Sequence, residues 1–107
     1  MDTVEKLEKN GILLNYNDVA QLCKKYSISE LAIFGSSLRD DFSKKSDIDI
    51  LVSFDKNSEI TLFDIMDLED EFSNLLKRKV DIVEKESLRN PIRKKNILSS
   101  REIIYAA

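Results

Sequence analysis

Asp47, Asp49 and Asp81 are the residues whose setting raises a chemical question. Each lies in or beside an apolar run, DIDILVSF for the first two and KVDIVEK for the third. A carboxylate in a buried strand is costly unless something positive meets it. Alternation along a strand places Asp47 and Asp49 on one side, their Cα atoms about 6.5 Å apart. Ile48, Ile50 and Val52 then point the other way, into a core. Either the acids are solvated on an edge strand, or they hold a cation. Two carboxylates at this spacing suit a hard ion such as Mg²⁺, which takes oxygen ligands. If the strand of Asp81 pairs beside that of Asp49, three acids gather. Without a cation, their repulsion would drive a proton onto one of them.

A second group of residues precedes the acids. Gly35-Ser36 is followed by ten residues and then Asp47-Ile48-Asp49. A glycine lets the backbone approach a phosphate closely, and a helix starting there offers free N–H groups to an anion. Ser36 and Ser37 add hydroxyl donors, and Arg39 carries a fork of donors suited to phosphate. Carboxylates, a divalent ion and phosphates together form the arrangement used in phosphoryl transfer.

The elements that must position these groups are legible in outline. A short helix is predicted over residues 2–9, with Gly11 placed to end it. Asn15 or Asn17 can cap a second helix, with Val19, Leu22, Cys23 and Tyr26 on its apolar face. ELAIFGSS reads as a buried strand stopped by Gly35, with a brief helix possible over 36–42. Residues 47–54 form the clearest strand. Over 62–77 the spacing predicts a helix whose core stripe is Leu62, Ile65, Met66, Leu68, Phe72, Leu75 and Leu76. Its acids, Asp64, Asp67, Glu69, Asp70 and Glu71, are expected to face water. A third strand carries Asp81, and a bend at Pro91, a short helix and an apolar tail over 103–107 follow. The class is α/β (α+β), a small mixed sheet flanked by helices.

Composition excludes a good deal. Among 107 residues there is no histidine, so triads and zinc sites built on histidine are excluded. Cys23 is the only cysteine, and its place on an apolar helical face reads as a buried structural thiol. A net charge of −3 argues against direct nucleic-acid binding. The charged N-terminus does not resemble a signal peptide, and no apolar run is long enough for a membrane span. A cytoplasmic location is therefore expected. Arg89, Arg93, Lys94, Lys95 and Arg101 form a basic stretch without an acid. It reads as a solvated helix face, or as a surface meeting a triphosphate or an acidic partner; Lys44 and Lys45 allow the same two readings.

The pattern G-S-x10-D-x-D resembles the signature of the polymerase-β-like nucleotidyltransferase superfamily, and the resemblance spans about residues 29–84. It implies that Gly35 and Ser36, with Ser37 and Arg39, seat the phosphates of ATP. It implies that Asp47 and Asp49 hold Mg²⁺, with Asp81 as the third acid that assists a metal and activates the attacking hydroxyl. One departure is Asp40-Asp41 after Arg39, where many relatives have glycine. The brevity of the chain is similar to the minimal nucleotidyltransferases, and residues 1–107 are expected to form a single such domain. The resemblance is nearest to the MNT antitoxins paired with HEPN-type RNase toxins, whose members place AMP on a tyrosine of the toxin. It therefore implies a HEPN toxin as partner and no membrane association. A non-catalytic antitoxin and a small-molecule nucleotidyltransferase are the alternatives.

Overall fold

Short helices and strands alternate in this chain because capping residues and glycines punctuate its apolar runs. The computed structural model describes residues 3–39 and 46–107. Asp40, Asp41, Lys44 and Lys45, and the far half of the helix expected over 36–42, lie outside the described residues. Helix α1 (Thr3–Lys9) stops where Gly11 turns left-handed at φ 78°. Asn15 begins α2 (Tyr16–Lys25), its side-chain oxygen accepting from the N–H groups of Asn17 and Asp18. Val19 and Cys23 are buried on one face of α2, and burial pushes the Cys23 thiol up to about 12.

Strand β1 (Ile28–Phe34) ends in a four-residue 3₁₀ turn, Gly35–Leu38. Strand β2 (Ile48–Phe54) follows, then α3 (Leu62–Leu76), β3 (Val80–Glu84), α4 (Pro91–Ser100) and β4 (Glu102–Ala106). The sheet order is β3-β2-β1-β4. β1 runs antiparallel to β2 and β4, while β2 and β3 are parallel. The mixed sheet expected from the sequence is therefore present, with one strand more than expected. The apolar tail pairs with β1, Leu31 opposite Tyr105 and Ala32 opposite Ile103. Ile103, Ile104 and Tyr105 are β-branched or aromatic residues that suit such a pleated edge.

Both faces of the sheet are covered. On one face, Leu31 and Ile33 of β1 join Ile48, Ile50 and Val52 of β2 in the main core. Leu7, Ile12, Val19, Cys23, Leu68 and Phe72 close that core from the helices and the α1–α2 connection. The opposite face carries Ala32, Phe34 and Leu51, packed with Leu88 and with Ile97 of α4. Asp49 shares this second face with Leu51, two residues on.

Helix α3 differs from its expected pattern. Thr61 and Asp64 form a capping box at its start, and Leu68, Phe72 and Leu76 are buried. Leu62 and Met66, expected in the core, are 71% and 54% exposed. At 100° per residue they lie roughly 80° and 120° round the helix from Phe72, too far to face the sheet. Nor are all the acids merely solvated. Glu69 accepts from the N–H of Ile82 at 3.3 Å, and Glu71 accepts from Lys25 at 2.8 Å and from the Tyr26 hydroxyl. The two bonds to Glu71 tie α2 to α3. Among the described residues, no helix is long and apolar enough to cross a membrane.

The bond from Lys25, then that from Tyr26, holds Glu71 below the usual glutamate range. A depressed acid adds stability above its unfolded value and loses it as pH falls through the folded one. Glu71→Gln should therefore lower Tm by a few degrees at neutral pH. The gap to the parent should narrow as pH falls through the ordinary glutamate range and close only below it, once Glu71 is protonated in the folded protein as well. Thermal melts of the two proteins across that range check this, and a gap independent of pH would refute the ionic role.

Candidate active site

The acids meet at one end of the sheet because the register of three strands converges on Asp49. Asp49 stands opposite Phe34 of β1 on one side and Asp81 of β3 on the other. Asp47 lies just ahead of β2, and its carboxylate is 3.8 Å from the Lys79 ammonium. The Ile48 N–H bonds the Lys79 carbonyl at 2.9 Å, so the start of β2 is locked against β3. Arg78 adds a bond to the Ser46 carbonyl at 2.9 Å. Asp49 is half-buried, whereas Asp81 is exposed.

Charge at this point is unbalanced. Burial, then Asp81, then Asp47 push the Asp49 carboxyl above the usual carboxylate range, while Arg93 and Arg39 pull against them. Two acids and two bases from four different parts of the chain thus act on one carboxylate. Among the described residues, no three acid, cysteine or histidine side chains close round a single point as a ready-made cage. Asp47 precedes Asp49 along the chain and Asp81 lies beside it on β3, without enclosing a common point.

The Gly35 turn lies directly against Asp49. Gly35 has φ 72°, and a Cβ built there would come within 2.7 Å of Asp49 Oδ2. Any other residue there would be strained by that backbone and would displace the Asp49 carboxylate. Ser36 is partly exposed, but Ser37 is wholly buried. Its hydroxyl accepts from the Asp49 N–H at 3.4 Å, so it faces β2 rather than solvent. Arg39 is exposed, and its N–H closes the turn on the Ser36 carbonyl at 3.0 Å. The turn is a four-residue 3₁₀ turn, and what it offers an anion is hydrogen-bond donors, as the sequence suggested.

Two participants escape a reading of the sequence or are only half visible in it. Asn10, at the end of α1, donates to the carbonyls of Ser37 and Arg39 at 2.8 and 3.1 Å. Nothing in the pattern of α1 announces this. Arg93 is visible only as part of a basic stretch, whereas α4 brings its charge to bear on Asp49.

Residues 19–104 match the family described as the nucleotidyltransferase domain. The chain belongs to that family. This nucleotidyltransferase is 34% identical over 105 residues to the protein adenylyltransferase MntA of Thermococcus cleftensis, covering 98% of the chain and 97% of MntA. It is 41% identical over 85 residues to MJ0126 of Methanocaldococcus jannaschii, a candidate protein adenylyltransferase, covering 79% of the chain and 83% of MJ0126. Among solved structures, a candidate minimal nucleotidyltransferase superposes with a TM-score of 0.69 at 29% identity, over 95% of both chains. A toxin–antitoxin structure with AMP-PNP gives a TM-score of 0.70 at 20% identity, over 88% of this chain and 75% of that one. The Shewanella oneidensis complex of a tri-AMPylated HEPN toxin with its MNT antitoxin gives 0.62 at 18%, over 86% and 70%. The last two likenesses establish the fold alone. The fold matches that of the candidate minimal nucleotidyltransferase, as the resemblance implied.

Proposed function

We propose that this nucleotidyltransferase is an antitoxin that transfers AMP from ATP to a hydroxyl, a tyrosine, of a HEPN-type toxin in the cytoplasm. The observation that carries the reading is the convergence of Gly35, Asp47 and Asp81 on Asp49. The likeness to MntA over almost the whole chain supports protein as the acceptor class. The fold shared with antitoxins found beside HEPN toxins supports the partner.

The residues fit Mg²⁺. Their donors are carboxylate oxygens, and a cation would offset the burial and the repulsion from Asp81 and Asp47 that lift Asp49. An open set of acids also suits an ion that keeps several waters and binds through one or two carboxylates plus substrate phosphates. Asp47 and Asp49 would hold it, with Asp81 beside Asp49 to assist, and when bound it supplies charge neutralisation to the triphosphate.

The chain's own groups do the rest. Gly35 and Ser36 receive phosphate oxygens through N–H and hydroxyl donors, and Arg39 adds a cationic fork. Ser37 keeps the turn seated on β2. Asp81, the exposed acid, accepts the proton of the acceptor hydroxyl. The acceptor oxygen forms a bond to the α-phosphorus in line as the bond to the bridging oxygen breaks and pyrophosphate leaves. Incubation with α-labelled ATP, Mg²⁺ and the co-purified partner should label the partner, and Asp47→Asn should not. Label that persists with Asp47→Asn would overturn the mechanism.

A further inference from the structure

We infer that Asn10 is a positioning residue for nucleotide binding, a strap from α1 that sets the shape of the Gly35–Leu38 turn. This rests on the reading of that turn as the phosphate seat. The Asn10 amide donates twice, to the Ser37 carbonyl at 2.8 Å and to the Arg39 carbonyl at 3.1 Å. These contacts cross 27 and 29 residues of chain, so they are tertiary and not a local turn.

The strap is itself firmly mounted. The Asn10 N–H bonds the Leu7 carbonyl at 3.0 Å, and the Ile12 N–H returns to that same carbonyl at 2.8 Å. Leu7 and Ile12, on either side, are fully buried in the main core. Asn10 therefore transfers the rigidity of the core to a turn that lies at the sheet's end.

Its effect on the turn follows from peptide geometry. In a planar trans peptide the C=O and the following N–H point in opposite directions. Drawing the Ser37 carbonyl toward α1 thus fixes where the Leu38 N–H points. Ser37 is held from the other side as well, its hydroxyl receiving the Asp49 N–H. The turn is pinned to α1 by carbonyls and to β2 by a hydroxyl, so its donors are ordered before a phosphate arrives. Ordering them on binding would otherwise reduce affinity. Asn10 precedes the segment 19–104 that matches the family, so the strap comes from outside the shared domain core.

Asn10→Asp is the sharpest test. It keeps the shape of the side chain, removes its donors and sets a charge against two carbonyls. Titration of the protein with ATP and Mg²⁺ should show affinity weakened roughly 10-fold. KM for ATP should rise by the same factor while kcat stays within about twofold. Asn10→Ala should give the same direction with a smaller effect. Leu68→Ala, in the core part of α3 and away from α1, serves as the structural control, because a core cavity lowers Tm without touching the strap or the turn's carbonyls. Equal ATP affinity in Asn10→Asp and the parent overturns the strap, as does a loss that merely tracks Tm as in Leu68→Ala. A parent that does not bind ATP removes the phosphate reading first, and the strap falls with it.

Discussion

Asp49→Asn should reduce AMP transfer by roughly 10²–10³-fold while leaving Tm unchanged or raising it. The two effects separate because Asp49 is placed for chemistry at the expense of the fold. It is half-buried, it stands in register with Asp81, and Asp47 precedes it on the same side. Burial and both acids push its carboxyl upward. An acid whose folded value lies above its unfolded one costs stability once pH exceeds the unfolded value. A neutral amide of the same shape removes that cost. The gain should appear at neutral pH and vanish in acid, where Asp49 is itself protonated. Paired melts and label-transfer assays measure both effects. A variant that loses activity because it loses Tm would make Asp49 a structural residue and contradict the site.

Much of this arrangement can be read from the chain, and the reason is local. Asp47-Ile48-Asp49 and Val80-Asp81-Ile82 each break an apolar strand with an acid, which alternation converts into a shared face. The parallel register that sets Asp49 beside Asp81 follows once β2 and β3 are known to pair. Gly35 is legible as a turn residue, although its contact with Asp49 is not. What stays hidden depends on contacts distant in sequence. Ser37 looks like any exposed hydroxyl until β2 folds against it. Asn10 looks like the polar end of a short helix until the turn comes back to meet it. Helix α3 misleads for another reason: its apolar residues spread over more than half its circumference, and the sheet has room for one side only. Leu62 and Met66 are left outside. The fourth strand escapes because Ile103 to Ala107 gains its partner only from β1, about seventy residues earlier in the chain.

Gly35→Ala should be the second large effect, and its physical origin can be split by experiment. The left-handed backbone at φ 72° alone should cost about 1–2 kcal/mol once a Cβ is present. In a domain of this size that lowers Tm by roughly 4–8 °C per kcal/mol. The collision is a separate matter. The new methyl group would stand 2.7 Å from Asp49 Oδ2, so the carboxylate must shift. It then leaves the position it needs, and a displacement near 1 Å can cost about 10²-fold in rate. Gly11 provides the comparison, since it has φ 78° with nothing within 4 Å of an added Cβ. Gly11→Ala should therefore carry the strain without the collision. Combined with Asp49→Ala, the stability losses of Gly11→Ala should add. Those of Gly35→Ala should not, because removing the carboxylate leaves only the strain. Full activity in Gly35→Ala, or simple additivity in both cycles, would show that the glycine serves the turn and not the acid beside it.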